Sequence, residues 1–199
     1  MADTDAVLEL GTPTVVINKT IDVSARPHAG MVQQDWEALG NRIVADFTAD
    51  GRRRLLLYHD TRSCDADIVL QRGLDAGVAA HAHAGVTGEL VCPDFNRLEE
   101  QVRELFNSAP DRFDGIYCAG SGPAVRLAEA LRTMGLRPGI DVALIYNDIL
   151  NRLPPEPALF LAGYGNSVED MAHAAWRLMT CLPQEQAAAR VVRIPHHRL

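Results

Sequence analysis

Residues 115–134, GIYCAGSGPAVRLAEALRTM, pass from a short apolar run (GIYCA) through a small-residue loop (AGSGP) into a segment with helical spacing. Pro123 falls where a first-turn proline loses no hydrogen bond, and Gly135 falls where helices stop. A strand delivered into a helix through a tight loop is half of a βαβ unit, and the same alternation recurs along the chain.

Working outward from it, short β-rich runs are expected at residues 14–18, 54–58, 86–92, 115–118, 142–146, 158–162 and 190–194. Helices are expected at 35–47, 64–76, 94–107, 123–134 and 167–181. Between them, 147–157 (NDILNRLPPEP) is a polar, proline-rich connection. Strands that are continuous apolar runs, each followed by a helix, imply a parallel sheet covered on both faces. Ligands of such sheets sit at the carboxyl ends of strands, which directs attention to the loops after Ile17, Tyr58, Cys118, Tyr146 and Leu161.

Composition narrows the function. The 199 residues carry 26 acidic and 19 basic side chains, a formal net charge of -7, so the chain's overall field opposes a nucleic-acid backbone. GRRR at 51–54 directly precedes a strand and is a solvated strand entrance. No apolar run approaches the ~18 residues of a membrane span. The N-terminal ten residues lack the basic and apolar regions of a secretory signal. The four cysteines (Cys64, Cys92, Cys118, Cys181) form no CxxC pair, and the expected setting is reducing and cytoplasmic.

The AGSGP loop fails three chemical motifs. A dinucleotide loop needs a third glycine where Val125 stands. A phosphate-binding P-loop needs a lysine, and Lys19 is the chain's only one. A nucleophile elbow needs glycines where Ala119 and Pro123 stand. The loop is then either a backbone-rich wall beside a small ligand or a tight strand-to-helix turn. His81 and His83 lack further ligands at metal spacing and belong to a solvated loop. No Ser–His–Asp or Cys–His set can be assembled, so no catalysis, metal or cofactor is expected. Strand-end polar groups remain: Asn18, His59 with Asp60, and Asn147 with Asp148. Amides among them both donate and accept hydrogen bonds, as sugar hydroxyls require.

The order GTPTVVIN, DWEALGNRIVADFTADGRRRLLLYHD, LQRGLDAG, FDGIYCAGSGPAVRLAEALRTMGLRPGIDVALIYND and RVVRIPHHRL resembles the effector-binding module of LacI/GalR-type transcriptional regulators, over residues 11–199. The same fold serves periplasmic sugar-binding proteins. The resemblance implies an α/β fold with two parallel-sheet subdomains of the type I periplasmic-binding-protein kind, the first incomplete. It divides the chain into 1–30 with 162–189, and 31–161 with 190–199, around a cleft. It implies a carbohydrate effector, a homodimer, and DNA contact only through an N-terminal helix-turn-helix that has no counterpart here. The alternative is the solute-binding protein of a sugar transporter.

On this resemblance the ligand-lining positions are Asn147, Asn18, Ser121, Asp148, Gly120, Asp60 and His59, with Leu70 and Tyr164 as apolar neighbours. The family's usual aspartates fall at Asn18 and Asn147, its arginine at Leu70 and its asparagine at Gly120. That pocket has fewer charges than the family pattern.

Overall fold

The computed structural model describes residues 4–19, 21–59, 65–92, 94–109, 111–182 and 190–199. The chain divides into two units, Met1–Asp35 with Ser167–His196, and Trp36–Asn166 with His197–Leu199.

In the smaller unit, β1 (Thr14–Ile17), β2 (Ala29–Gln34) and β8 (Val191–Ile194) form a parallel sheet in the order β1-β2-β8. Helix α6 (Val168–Cys181) packs Met171, Ala174 and Leu178 on Val32 and Ile194. The Ser167 side chain caps it by accepting the Asp170 N–H. A short α1 (Thr4–Glu9) precedes the sheet. Strand β2 was not expected: AGMVQQ, with a glycine and two glutamines, has neither alternation nor an apolar run. Its central position between two strands buries it.

In the larger unit, β3 (Arg54–Tyr58), β4 (Thr87–Val91), β5 (Gly115–Ala119), β6 (Ala143–Asp148), β7 (Ala162–Gly165) and β9 (His197–Arg198) lie in the order β4-β3-β5-β6-β7-β9. All pairs are parallel except β7 with β9. Helices α4 (Leu98–Ser108) and α5 (Ser121–Thr133) cover one face, over Leu56, Tyr58, Ile116, Cys118 and Tyr146. Helices α2 (Trp36–Ala49) and α3 (Asp65–His81) cover the other, over Leu55, Leu57, Tyr117 and Ile145. This is the doubly covered parallel sheet that the apolar runs implied.

Several boundaries differ from the sequence reading. The strand expected at 158–162 begins at Ala162, because Pro157–Leu159 winds into a 3-10 turn closed by the Phe160 N–H on the Pro157 carbonyl, 3.0 Å. AGYG gave no strand signal because its glycines make room: a Cβ on Gly163 would lie 2.5 Å from the Tyr146 hydroxyl oxygen. The helix expected at 64–76 continues to His81, so His81 closes α3 and His83 lies in the 3-10 turn Ala82–Ala84. The helix expected from 94 starts at Leu98, since the Asp94 carboxylate and carbonyl hold a turn with the N–H groups of Asn96 and Arg97. The last strand pairs with β2, which places residues 190–196, and likewise 31–35, in the smaller unit; residues 162–166 lie in the larger one.

Helices α2 and α3 meet backbone to backbone. A Cβ on Gly73 would lie 2.2 Å from the Glu37 carbonyl oxygen, and one on Gly40 would lie 2.5 Å from the Leu74 nitrogen. No side-chain rotamer relieves a clash with main chain. Gly73→Ala should therefore cost about 3 kcal/mol, the upper end for overpacking, seen as a lower urea midpoint at unchanged m-value. A loss below about 0.5 kcal/mol would mean that the helices can separate freely.

Candidate functional site

Strands β3, β5 and β6 end side by side, and their ends bring together five of the expected positions: His59, Gly120, Ser121, Asn147 and Asp148. Cys118 pairs in register with Tyr146 and Ala119 with Asn147. The Gly120 N–H extends the ladder by donating to the Asn147 carbonyl, 2.7 Å. Gly120 then turns at φ 94°, which a residue with a Cβ rarely adopts, and α5 begins at Ser121.

Side chains of successive strand residues point to opposite faces, and the site divides accordingly. On the α4/α5 face lies Asp148. Its Oδ2 accepts the hydroxyl of Ser121 and, at 3.1 Å, the Ser121 N–H. Its Oδ1 accepts the Leu150 N–H at 2.8 Å and the Arg152 N–H at 3.4 Å, and Arg152 Nε approaches Oδ2 at 3.3 Å. Burial alone would push the carboxyl up. The bonds from Ser121, Leu150 and Arg152 outweigh it and hold the group below the usual aspartate value. Asp148 thus caps α5 and ties down the following loop, and the Ser121 hydroxyl is committed to it.

On the α2/α3 face lie Asn147 and His59. The Tyr117 hydroxyl, fully buried, donates to Asn147 Oδ1 at 2.6 Å. This fixes the amide and leaves its Nδ2 as a donor. His59, 1% exposed, has its ring 6.3 Å from that of Tyr117. His59 Nε2 lies 3.0 Å from the Asp67 carbonyl oxygen. A carbonyl only accepts, so Nε2 carries a proton, and Nδ1 is an acceptor in the neutral form of the ring. Nδ1 has no hydrogen-bond partner among the described residues. Tyr117 thus lies between an amide whose Nδ2 remains a donor and an imidazole whose Nδ1 is buried.

The other expected positions fall elsewhere. Leu70, 2% exposed, is core beneath α3. Tyr164 is Asn147's register neighbour, but its hydroxyl donates to Asp46 on α2 at 2.5 Å. Burial, then the adjacent Asp46, raises its pKa. Asp60 lies outside the described residues. Asn18 belongs to the smaller unit, exposed at the carboxyl end of β1, with φ 54° and its Oδ1 accepting the Gln34 N–H at 3.3 Å.

Tyr117 was missed because a tyrosine inside an apolar strand looks like core. Its signal is that a buried hydroxyl needs a partner. Asn151 was missed too: its amide clasps the N–H and carbonyl of Asn166, at 2.7 and 2.8 Å, closing the loop after β6. Cys118 is no nucleophile, because burial pushes its thiol up to about 12.

No protein-family profile matches the chain, and no curated protein matches it. Solved structures do. A LacI-family sugar-binding transcriptional regulator from Escherichia coli, complexed with phosphate, aligns with TM-score 0.74 at 14% identity, over 98% of this chain and 69% of that one. A LacI-family regulator from Enterococcus faecium with bound ribose gives 0.69 at 15%, over 99% and 74%. One from Arthrobacter sp. in complex with lactose gives 0.66 at 17%, over 94% and 68%. At these identities the likeness defines the fold: the chain has the periplasmic-binding-protein-like fold of LacI-type effector domains.

Asp148→Asn should destabilise the protein by about 2 kcal/mol, the cost of a buried charge-assisted acceptor set losing its charge. The pH dependence has a defined sign. A carboxyl with a depressed native pKa contributes stability above its unfolded value near 3.9, lost as pH falls through the native value. Urea titrations of wild type and variant should therefore converge below about pH 4. A constant difference down to pH 2 would remove Asp148 from this role.

Proposed function

We propose that the chain is the effector-binding part of a LacI-type transcriptional regulator and takes a neutral, hydroxyl-rich molecule, a sugar or sugar derivative. The observation that carries the proposal is the Tyr117–Asn147–His59 group at the strand ends of a fold whose solved relatives hold ribose and lactose. The chemistry supports binding and not turnover. The Ser121 hydroxyl is locked onto Asp148, and the buried Cys118 thiol stays protonated.

Asn147, His59 and the Gly120–Ser121 backbone are the ligand-contacting groups on this reading. Asn147 offers Nδ2 as donor, and the neutral form of His59 would offer Nδ1 as acceptor. A ligand that binds one arrangement of the two units better than another shifts their equilibrium by that difference in affinity. A homodimer transmits the shift, and DNA is read by a helix-turn-helix outside these 199 residues. The setting is the cytoplasm, and no helix among the described residues is long and apolar enough to cross a membrane.

A thermal-shift screen of pentoses, hexoses, disaccharides and polyols against the full chain tests this. At 100 times its dissociation constant an effector should add about 2.7 kcal/mol of stability. Asn147→Ala, which removes the proposed amide donor, should weaken the ligand about five- to tenfold, one to two hydrogen bonds' worth. A flat response of the wild type across the whole panel would overturn the proposal.

A further inference from the structure

Helix α2 carries one aromatic side chain that its sheet only half covers. Leu39, Gly40, Ile43, Val44 and Phe47 are buried on the α2/α3 face. Trp36, the first residue of α2, stands four positions before Gly40 and seven before Ile43, so it lies on the same stripe. Its indole packs against the edge of that core and stays partly exposed.

The course of the helix places this residue at the strand ends. Residues 50–53 join the end of α2 to the start of β3, so α2 runs antiparallel to the strands. Its last turn confirms the level: a Cβ on Gly115, where β5 begins, would lie 2.9 Å from the Phe47 ring. From Phe47 back to Trp36 is eleven residues, about 16 Å along a helix. From Gly115 to Ala119 is four residues, about 13 Å along a strand. The Trp36 Cα therefore stands about 3 Å beyond the level of Ala119 and of its register partner Asn147. Helical side chains lean toward the helix N-terminus, which carries the indole further past the strand ends. Across the sheet, α2 touches β5 through Phe47 and β7 through the bond between Asp46 and the Tyr164 hydroxyl. Between those two strands lies β6, which brings Asn147 to its end.

Two amides share that face. Asn147 keeps Nδ2 as a donor. Asn166, directly after β7, is the second, and strand parity puts it on the α2 side with Tyr164. Its N–H and carbonyl are held by Asn151. Although Asn166 is only 5% exposed, its side-chain amide has no hydrogen-bond partner among the described residues. One strand over and two residues on, it stands about 8 Å from Asn147, a span that one hydroxyl-bearing ring can bridge.

We propose that Trp36 is the stacking platform of the sugar site, that Asn147 and Asn166 take hydroxyls at the edge of the stacked ring, and that the ligand class is a sugar in its six-membered ring form. A pyranose has a face of C–H groups and a rim of hydroxyls. The negative face of an indole attracts the C–H face, and neutral amides both donate to and accept from the rim. An open-chain polyol carries the same hydroxyls but no fixed face to stack. This role rests on the sugar reading above and adds the ring form to it.

The test uses the full chain carrying Trp176→Phe. That change removes the only other tryptophan, which is 74% exposed, and leaves Trp36 as the sole indole. Glucose, galactose, mannose and xylose are each titrated beside sorbitol, galactitol, mannitol and xylitol, their open-chain counterparts. At least one pyranose should change the indole emission saturably and bind about three- to tenfold tighter than its polyol, the span of one aromatic contact. Trp36→Leu should abolish that preference, read by calorimetry. Trp36→Tyr keeps a ring and should retain most of it, which separates stacking from a folding defect. A bound pyranose that leaves the emission unchanged, a polyol bound as tightly as its pyranose, or a preference that survives Trp36→Leu overturns the platform. So does failure of all four pyranoses to bind. The sugar reading falls with it only if the wider panel of pentoses, disaccharides and polyols also leaves the melting temperature of the wild type unmoved.

Discussion

One backbone hydrogen bond, from the Gly120 N–H to the Asn147 carbonyl, decides the form of the strand-end site. It prolongs the β5–β6 ladder one residue beyond Ala119, so the chain must reverse into α5 within a single residue. Only a glycine manages that: Gly120 takes φ 94°, and a Cβ there would also press on the Pro123 ring at 3.2 Å. Once the turn is made, the Ser121 N–H faces Asp148 and the first turn of α5 acquires a carboxylate cap. Position 120 therefore contributes geometry and not a side chain.

That geometry assigns different work to two adjacent residues. Asp148 points to the α5 face and is consumed by its own loop, with bonds from Ser121, Leu150 and Arg152. Asn147 points to the α3 face, where Tyr117 occupies its oxygen and leaves its nitrogen. A helix N-terminus otherwise ready for an anion is already neutralised internally. What remains without a partner among the described residues is the buried Nδ1 of His59, and the Asn147 amide keeps its Nδ2 as a donor.

The alternation of strands and helices was legible because inner parallel strands are apolar without interruption: RLLLY and GIYCA announced β3 and β5. Strands β2 and β7 were silent because their residues answer to neighbours instead of to a solvent face. Gly163 is there because the Tyr146 ring needs its space. Within the site, strand-end amides could be found by position alone. Whether Asp148 faced ligand or loop depended on strand parity plus a loop conformation that no local pattern encodes. Leu70 was expected beside ligand only because the resemblance places an arginine there, and Tyr164 as its apolar neighbour; helix and sheet packing take the first into the core and point the second at Asp46.

On the proposed reading, selectivity for hydroxyls would follow from what the site leaves unpaired. The chain is acidic overall, yet the carboxylate that ends β6, Asp148, is surrounded by donors from Ser121, Leu150 and Arg152. Charge therefore adds little to recognition. A ligand lacking a hydroxyl opposite Asn147 and His59 would seal a buried donor and acceptor without partners, at roughly 1–3 kcal/mol each. A ligand carrying one recovers both. Sites of this kind reject by leaving their own groups unsatisfied, and that discriminates more sharply than an apolar pocket measuring size. Tyr117, by fixing the Asn147 amide, orients its donor without a charged pair.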